Sequence, residues 1–429
     1  MRSKRGFILV FALVIIMLVI LSLAALFVIS YNDLVMSNTI IRGMRAYYIA
    51  EAGLAQRFMD MRSQDPPVGG TLGPTPFALV GGDSGTYSTT VTPVAVGTLS
   101  TYRVDSVGLY KNISRQVSIT VTQRSYSSFA YLTNLEGQLF WWGQENVWFT
   151  SRDRLTGPLH SNDQFNIFGD PIFEGPVSSV SNSINYYHGG PPDDNPEFRG
   201  SLTLGALGIQ MPSTANMLTP ISTSVQSAYS YGGRTDITFL ADGTMNVYNV
   251  GKYGSNITNV ALPANGLIYV SGGNANVQGT VNGSVTIGCA NDINIVGNIL
   301  YNTDPRDDST SSDMLGLVAS NSVVISASAP NDLEVDAYIV AINSSFKVAD
   351  SVIDNYIVKE DLVLYGGITQ STRGAMGTFY TGSGDKASGY TKDYEYDPRL
   401  LSASPVSFPA AKDADGRILY RKVTWSETT

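Results

Sequence analysis

Residues Phe7 to Ile29, FILVFALVIIMLVILSLAALFVI, run for 23 positions without a charge, with Arg2, Lys4, Arg5 and Gly6 ahead of them. No other stretch constrains the chain so strongly. At about 1.5 Å per helical residue the run can cross a hydrocarbon core of roughly 30 Å. It predicts a membrane-spanning helix. A removed secretory signal has an apolar core of about 7–15 residues and then a small-residue cleavage site. Here Ser22-Leu23-Ala24-Ala25 lies inside the run, with Leu26-Phe27-Val28-Ile29 still to come. Basic residues before the span and none directly after it predict a cytoplasmic N-terminus, with the remainder outside the membrane.

Charge is unevenly divided. The whole chain carries −9, but residues 1–62 hold seven basic residues against three acids, which leaves −13 for the rest. An acidic main body argues against a nucleic-acid partner, which requires a basic face. Gly is abundant (42 residues) and charged residues make up only 15%, a composition suited to an exported, mainly β protein with many tight turns. A single cysteine, Cys289, excludes an intrachain disulfide.

Helical character continues past the span. From Tyr31 to Met61 there is no proline, and Leu34, Ile41, Met44, Tyr48, Ala52, Ala55 and Met59 recur at helical spacing beside Ile40, Tyr47, Leu54 and Phe58. Pro66-Pro67 and Gly69-Gly70 mark the stop. Residues 7–62 thus predict one rod about 80 Å long. Basic residues, then Gly6-Phe7, then a long apolar helix resembles the class III signal of type IV pilins and pseudopilins. Tyr48-Ile49-Ala50-Glu51-Ala52-Gly53-Leu54 resembles the AEAG element of PilX-type minor pilins and of the K-type minor pseudopilins of type II secretion. The resemblance covers about the first 60 residues. It implies cleavage after Gly6 by a prepilin peptidase, methylation of Phe7, and a small sheet packed on the exposed half of the helix, for which the row from Tyr48 to Met59 is the expected face. Major pilins carry a glutamate five residues into the mature chain; Phe11 stands there. That departure implies a minor or terminal subunit. The alternative is a plain single-span anchor.

Beyond the helix the pattern predicts a mainly β chain. After the 1–6 leader and the 7–62 helix comes a Pro/Gly-rich linker at 63–84. Alternating runs at Tyr102–Gly108 and Arg115–Val121, divided by Lys111-Asn112, predict a small antiparallel β domain at 85–124. Residues 125–265 are expected to form an aromatic-rich β region, the start of a solenoid with loop excursions. Within it, Ala241-Asp242-Gly243-Thr244 predicts a hairpin turn. From 266 to 380 short apolar runs recur every 6–14 residues with Gly or Asn at the corners and no helical period between them. A right-handed parallel β-helix accommodates such runs, each too short to bury its apolar side alone; a β-sandwich is the alternative. Residues 381–429 form a C-terminal cap or tail.

Chemistry is sparsely signalled. His160 and His188 are the only histidines, no G-x-S-x-G elbow is present, and three His/Cys residues in all make a poor zinc site. Calcium suits Asp304, Asp307, Asp308 and Asp313 better, or Asp193, Asp194 and Glu197, although neither set has EF-hand spacing. Trp141, Trp142 and Trp148 form an aromatic group that can stack on sugars or serve as core. The apolar runs carry few charges: Asp292, Glu334, Asp336 and Lys347. The expectation is a non-enzymatic, cofactor-free minor pilin-like or pseudopilin-like subunit of a bacterial inner membrane. It would carry its C-terminal domain in the periplasm or outside the cell, for filament priming or capping, adhesion or secretion. Its partners would be other pilin or pseudopilin subunits, assembly machinery, and a polysaccharide or surface ligand. The alternative is a membrane-tethered β-helix that binds or cleaves carbohydrate.

Overall fold

The computed structural model describes residues 3–94, 99–140, 143–250, 255–380 and 382–428, and the side chains of all of these except 3–6, 138–140, 143, 144 and 255. Two compact units emerge. One comprises residues 1–95, 101–121 and 422–429, the other residues 96–100 and 122–421.

The first unit is built on one helix, Ser3–Arg62. Its segment from Phe7 is long and apolar enough to cross a membrane. Beside it lies a five-stranded sheet in the order Gly70–Ala78, Ser84–Val94, Thr101–Tyr110, Ile113–Gln123, Tyr420–Thr428, and its first three strands pair antiparallel. Lys111 takes a left-handed backbone (φ 55°) in the turn expected between the third and fourth strands. Two boundaries differ from expectation. The stretch read as linker supplies the first strand, and Pro74 and Pro76 are tolerated because that strand lies at the sheet edge. The stretch read as tail supplies the opposite edge.

The face of the helix against this sheet also differs from expectation. Buried positions are Gly43, Ala46, Ile49, Ala50, Gly53, Leu54, Arg57 and Met61, whereas Met44, Tyr48 and Met59 stay exposed. Backbone proximity decides this. A Cβ on Gly108 would lie 2.2 Å from the Ala46 carbonyl oxygen and 2.4 Å from the Ala50 nitrogen, and one on Gly53 would lie 2.6 Å from the Tyr87 ring. Only small residues fit where strand and helix approach so closely, so the larger apolar row is turned away from the sheet.

The second unit is dominated by parallel pairing. One ladder runs through Ser230–Tyr231, Leu267–Val270, Ser284–Cys289, Met314–Ala319, 338–341, 368–372, Tyr131–Leu135, Leu159–Ser161, Val177–Ser179 and Leu202–Leu204. A second joins Thr235–Phe239, 275–277, 293–295, Val323–Ile325 and Phe346–Val348. A third passes from 279–281 through 299–301, 333–337, 361–366 and 391–396 to Arg154–Leu155, Ile172–Phe173 and Glu197–Phe198. Among the described residues from 266 to 396, antiparallel pairing is confined to Gly377–Phe379 against 386–389. A β-sandwich would pair its strands antiparallel throughout. The Asp242-Gly243 hairpin forms as expected (Gly243 φ 81°).

The stacking order is not the chain order. Residues 131–204 step outward in sequence, but strands late in the chain, 368–372 and 393–394, pair with the first, 131–135 and 154–155. The unit therefore has a seam where its C-terminal strands meet its N-terminal ones. The core changes across it. Residues 231–390 bury mainly aliphatic side chains such as Val285, Ile287, Leu317, Ile295 and Leu364, whereas 131–198 bury rings, with Phe149 near Phe165 and Phe173 at 5.8 and 5.3 Å between centroids. Met314–Ala319 is buried at every position, because Phe408 and its neighbours cover the outer side of its ladder. Both faces being covered explains why MLGLVA lacks polar alternation.

Candidate functional site

The seam holds two buried ion pairs. Glu136 and Arg373 pair at 3.1 Å, at 0% and 4% exposure. The Tyr131 hydroxyl donates to Glu136, and the Arg373 guanidinium lies 3.4 Å from the Phe149 ring centre. Asp153 pairs with Lys392 at 2.6 Å and also accepts the Thr150 N–H. Burial pushes the Lys392 ammonium below its ordinary range, and the Asp153 carboxylate opposes that shift. Each pair joins a residue of the 131–155 segment to one of the 373–392 segment.

Next to these pairs is a cavity of about 350 Å³. Trp148, Phe379 and Tyr390 supply its rings, Met376 its apolar surface, and Asp153 and Lys392 its charged pair. The Trp148 ring meets the Tyr187 edge at 5.1 Å, and Phe379 lies 4.6 Å from Phe168. The Tyr390 hydroxyl donates to the Pro330 carbonyl at 2.6 Å. Of the tryptophans singled out in the sequence, Trp148 therefore lines a cavity; its neighbour Phe149 is core. Trp141 and Trp142 lie outside the described residues. Phe379, Tyr390 and Lys392 were not legible as site residues, because they join Trp148 only through the seam; Asp153, five positions from Trp148, is set apart only by its pairing with Lys392 across it.

The acidic loops are tied down internally. Asp304 binds Arg306, which also reaches Glu334 at 2.6 Å and Asp336 at 3.7 Å. Asp308 caps Thr310, and Asp313 accepts the amides of Gly283 and Thr303. Asp194 accepts the amides of Gly169 and His188 and contacts the His188 ring at 3.0 Å, while Glu197 pairs with Arg199. Among the described residues, no three His, Cys, Asp or Glu side chains come together as a metal cage. Asp304, Asp307, Asp308 and Asp313 are thus not brought into one. Asp336, one of the few charges in the apolar runs, is only 2% exposed. Its Oδ2 accepts the Tyr301 amide and its Oδ1 has no hydrogen bond; burial pushes the carboxyl up to about 7. His160 is equally buried, between Ser178 and Asn162, and burial pushes it down to about 4.

In the first unit, Gly6 and Phe7 fall within the helix Ser3–Arg62, and Phe7 is exposed. Ala50 and Gly53 are buried against the sheet. Glu51 and Ala52 are half-buried, and Glu51 accepts from the Tyr47 hydroxyl at 3.2 Å and the Trp425 indole at 3.3 Å. The AEAG element thus alternates close-packing small residues with a carboxylate that reaches an edge strand.

A family model described as a domain of unknown function, DUF4900, matches residues 86–181, under a quarter of the chain. No curated protein matches. Among solved structures, the competence-associated pilin ComZ from Thermus thermophilus aligns over 90% of this chain and 98% of its own, at 11% identity and a TM-score of 0.36. That score is too low to equate the two folds.

Proposed function

We propose that this chain is a membrane-anchored, non-enzymatic minor pilin-like or pseudopilin-like subunit. It carries outside the membrane a domain whose three parallel ladders wind as a right-handed β-helix. One observation supports the reading above the rest. Leu34, Ile41, Met44, Tyr48 and Met59 are 44–61% exposed on a helix whose other side is packed on a sheet. A single-span anchor has no use for an apolar row that continues past the membrane. An assembly helix does, since neighbouring helices would cover that row. Phe11 in place of an acid suits a priming or capping position, where no neighbour's N-terminal ammonium needs a buried partner. Adhesion or secretion would then be the task of the second unit. Expressed with a prepilin peptidase, the chain should yield a mature N-terminus at methylated Phe7 by mass spectrometry. An intact Met1 terminus would reduce it to a plain anchor.

A second reading, a tethered carbohydrate-binding domain, draws support from the aromatic-walled cavity. Carbohydrate cleavage would need two carboxylates acting on one bond; the cavity is lined by Asp153, held by Lys392, and by the exposed Glu145.

A further inference from the structure

The cavity at the seam has the makings of a ligand site independent of any filament. Its volume of about 350 Å³ lies within the range of small-molecule sites. Its rings are held before any ligand arrives: Trp148 by the Tyr187 edge, Phe379 by Phe168 and Tyr390 by its bond to the Pro330 carbonyl. Such preorganisation lowers the ordering cost of binding.

The lining also narrows the ligand chemistry. Its cations are already engaged by the protein. Lys392 is paired with Asp153, Arg152 with Asp385 at 3.1 Å, and the Lys386 ammonium donates to the carbonyls of Lys359 and Glu360 and to the Thr391 hydroxyl. A phosphate or carboxylate would have to displace one of these partners, and the net charge of −9 works against an anion as well. Thr150, Thr378 and Thr391 also line it; the Thr378 hydroxyl is bonded to that of Ser388, and the Thr391 hydroxyl accepts from Lys386, so the wall beside the rings is polar. Rings set beside a polar wall suit a neutral molecule with an apolar face and hydroxyls at its edge. The C–H face of a pyranose presents partial positive charge to the negative face of an aromatic ring. We propose that the cavity bounded by Trp148, Phe379 and Tyr390 binds a neutral pyranose unit. This rests on the carbohydrate reading of the second unit and not on filament entry.

The test uses the full chain in a sugar-free detergent, titrated calorimetrically with methyl β-glucoside, methyl β-galactoside, maltose, cellobiose and chitobiose. At least one probe should bind, and Trp148→Ala should weaken it about tenfold, the loss of one ring face. Thr378→Trp, which fills the cavity from another wall, should abolish binding, whereas Trp425→Phe should leave it unchanged. Near-ultraviolet circular dichroism checks that each variant is folded. If no probe binds the folded wild type, or if binding survives both Trp148→Ala and Thr378→Trp, the proposal is overturned. Processing at Phe7 is a separate readout, so the filament reading can fail while this one stands, and the reverse.

Discussion

Asp336 and His160 are buried groups whose proton affinities are displaced in opposite directions. The folded Asp336 carboxyl titrates at about 7, above the ordinary value of about 3.9. The folded state therefore holds its proton more tightly, and Asp336 adds stability as pH falls from about 7 to about 4. His160 titrates at about 4 when folded, below its ordinary value of about 6.5. Its contribution is complete above about pH 6.5 and is lost on acidification toward about pH 4. The two oppose each other over most of the same window. Relative to wild type, Asp336→Asn should make the chain lose stability more steeply on acidification, and His160→Gln should make it lose stability less steeply. Urea midpoints across that window measure both, and equal slopes in all three proteins would refute the assignment. At the same scale, Gly108→Val drives side-chain atoms into the Ala46 and Ala50 backbone. It should cost about 3 kcal/mol, read as a lowered thermal midpoint. Gly382→Ala, with nothing within 4 Å of its Cβ position, should change little.

At the scale of elements, the seam decides whether the second unit closes. Arg373→Met retains bulk beside Phe149 but strands the buried Glu136 carboxylate, and should cost about 3–5 kcal/mol. Adding Glu136→Leu should restore most of it, as replacement of a whole buried pair by apolar groups often does. Urea unfolding of the two proteins provides the comparison, and a double variant no more stable than the single one would mean that the pair does more than match its own charges. None of this was legible beforehand. Glu136 and Arg373 are 237 positions apart, and no local pattern predicts that the unit's C-terminal strands will pair with its first. Local elements were more accessible: the helix, its stop before Pro66, the Lys111 turn and the Asp242-Gly243 hairpin all follow from short-range chemistry. The helix face was misjudged because hydrophobic size marks the Tyr48 row, whereas the sheet selects for smallness at Ala46, Ala50 and Gly53. Trp148 stood out from composition alone, but its partners Phe379 and Tyr390 come from strands that only the seam brings near.

For the molecule as a whole, the long helix carries two kinds of surface. One side is committed to its own sheet through Gly53 and Ala50, and the other remains apolar from the membrane stretch to Met59. On the proposed reading, such a helix would leave the bilayer for an apolar filament interior. The most direct measurement is the content of filaments sheared from cells that carry the assembly machinery, quantified by mass spectrometry against the major subunit. The mature chain beginning at Phe7 should be present at a small fraction of the major subunit, and Gly6→Glu should leave it in the membrane fraction. Recovery of the wild-type chain solely from membranes, with residues 1–6 still attached, would contradict the account.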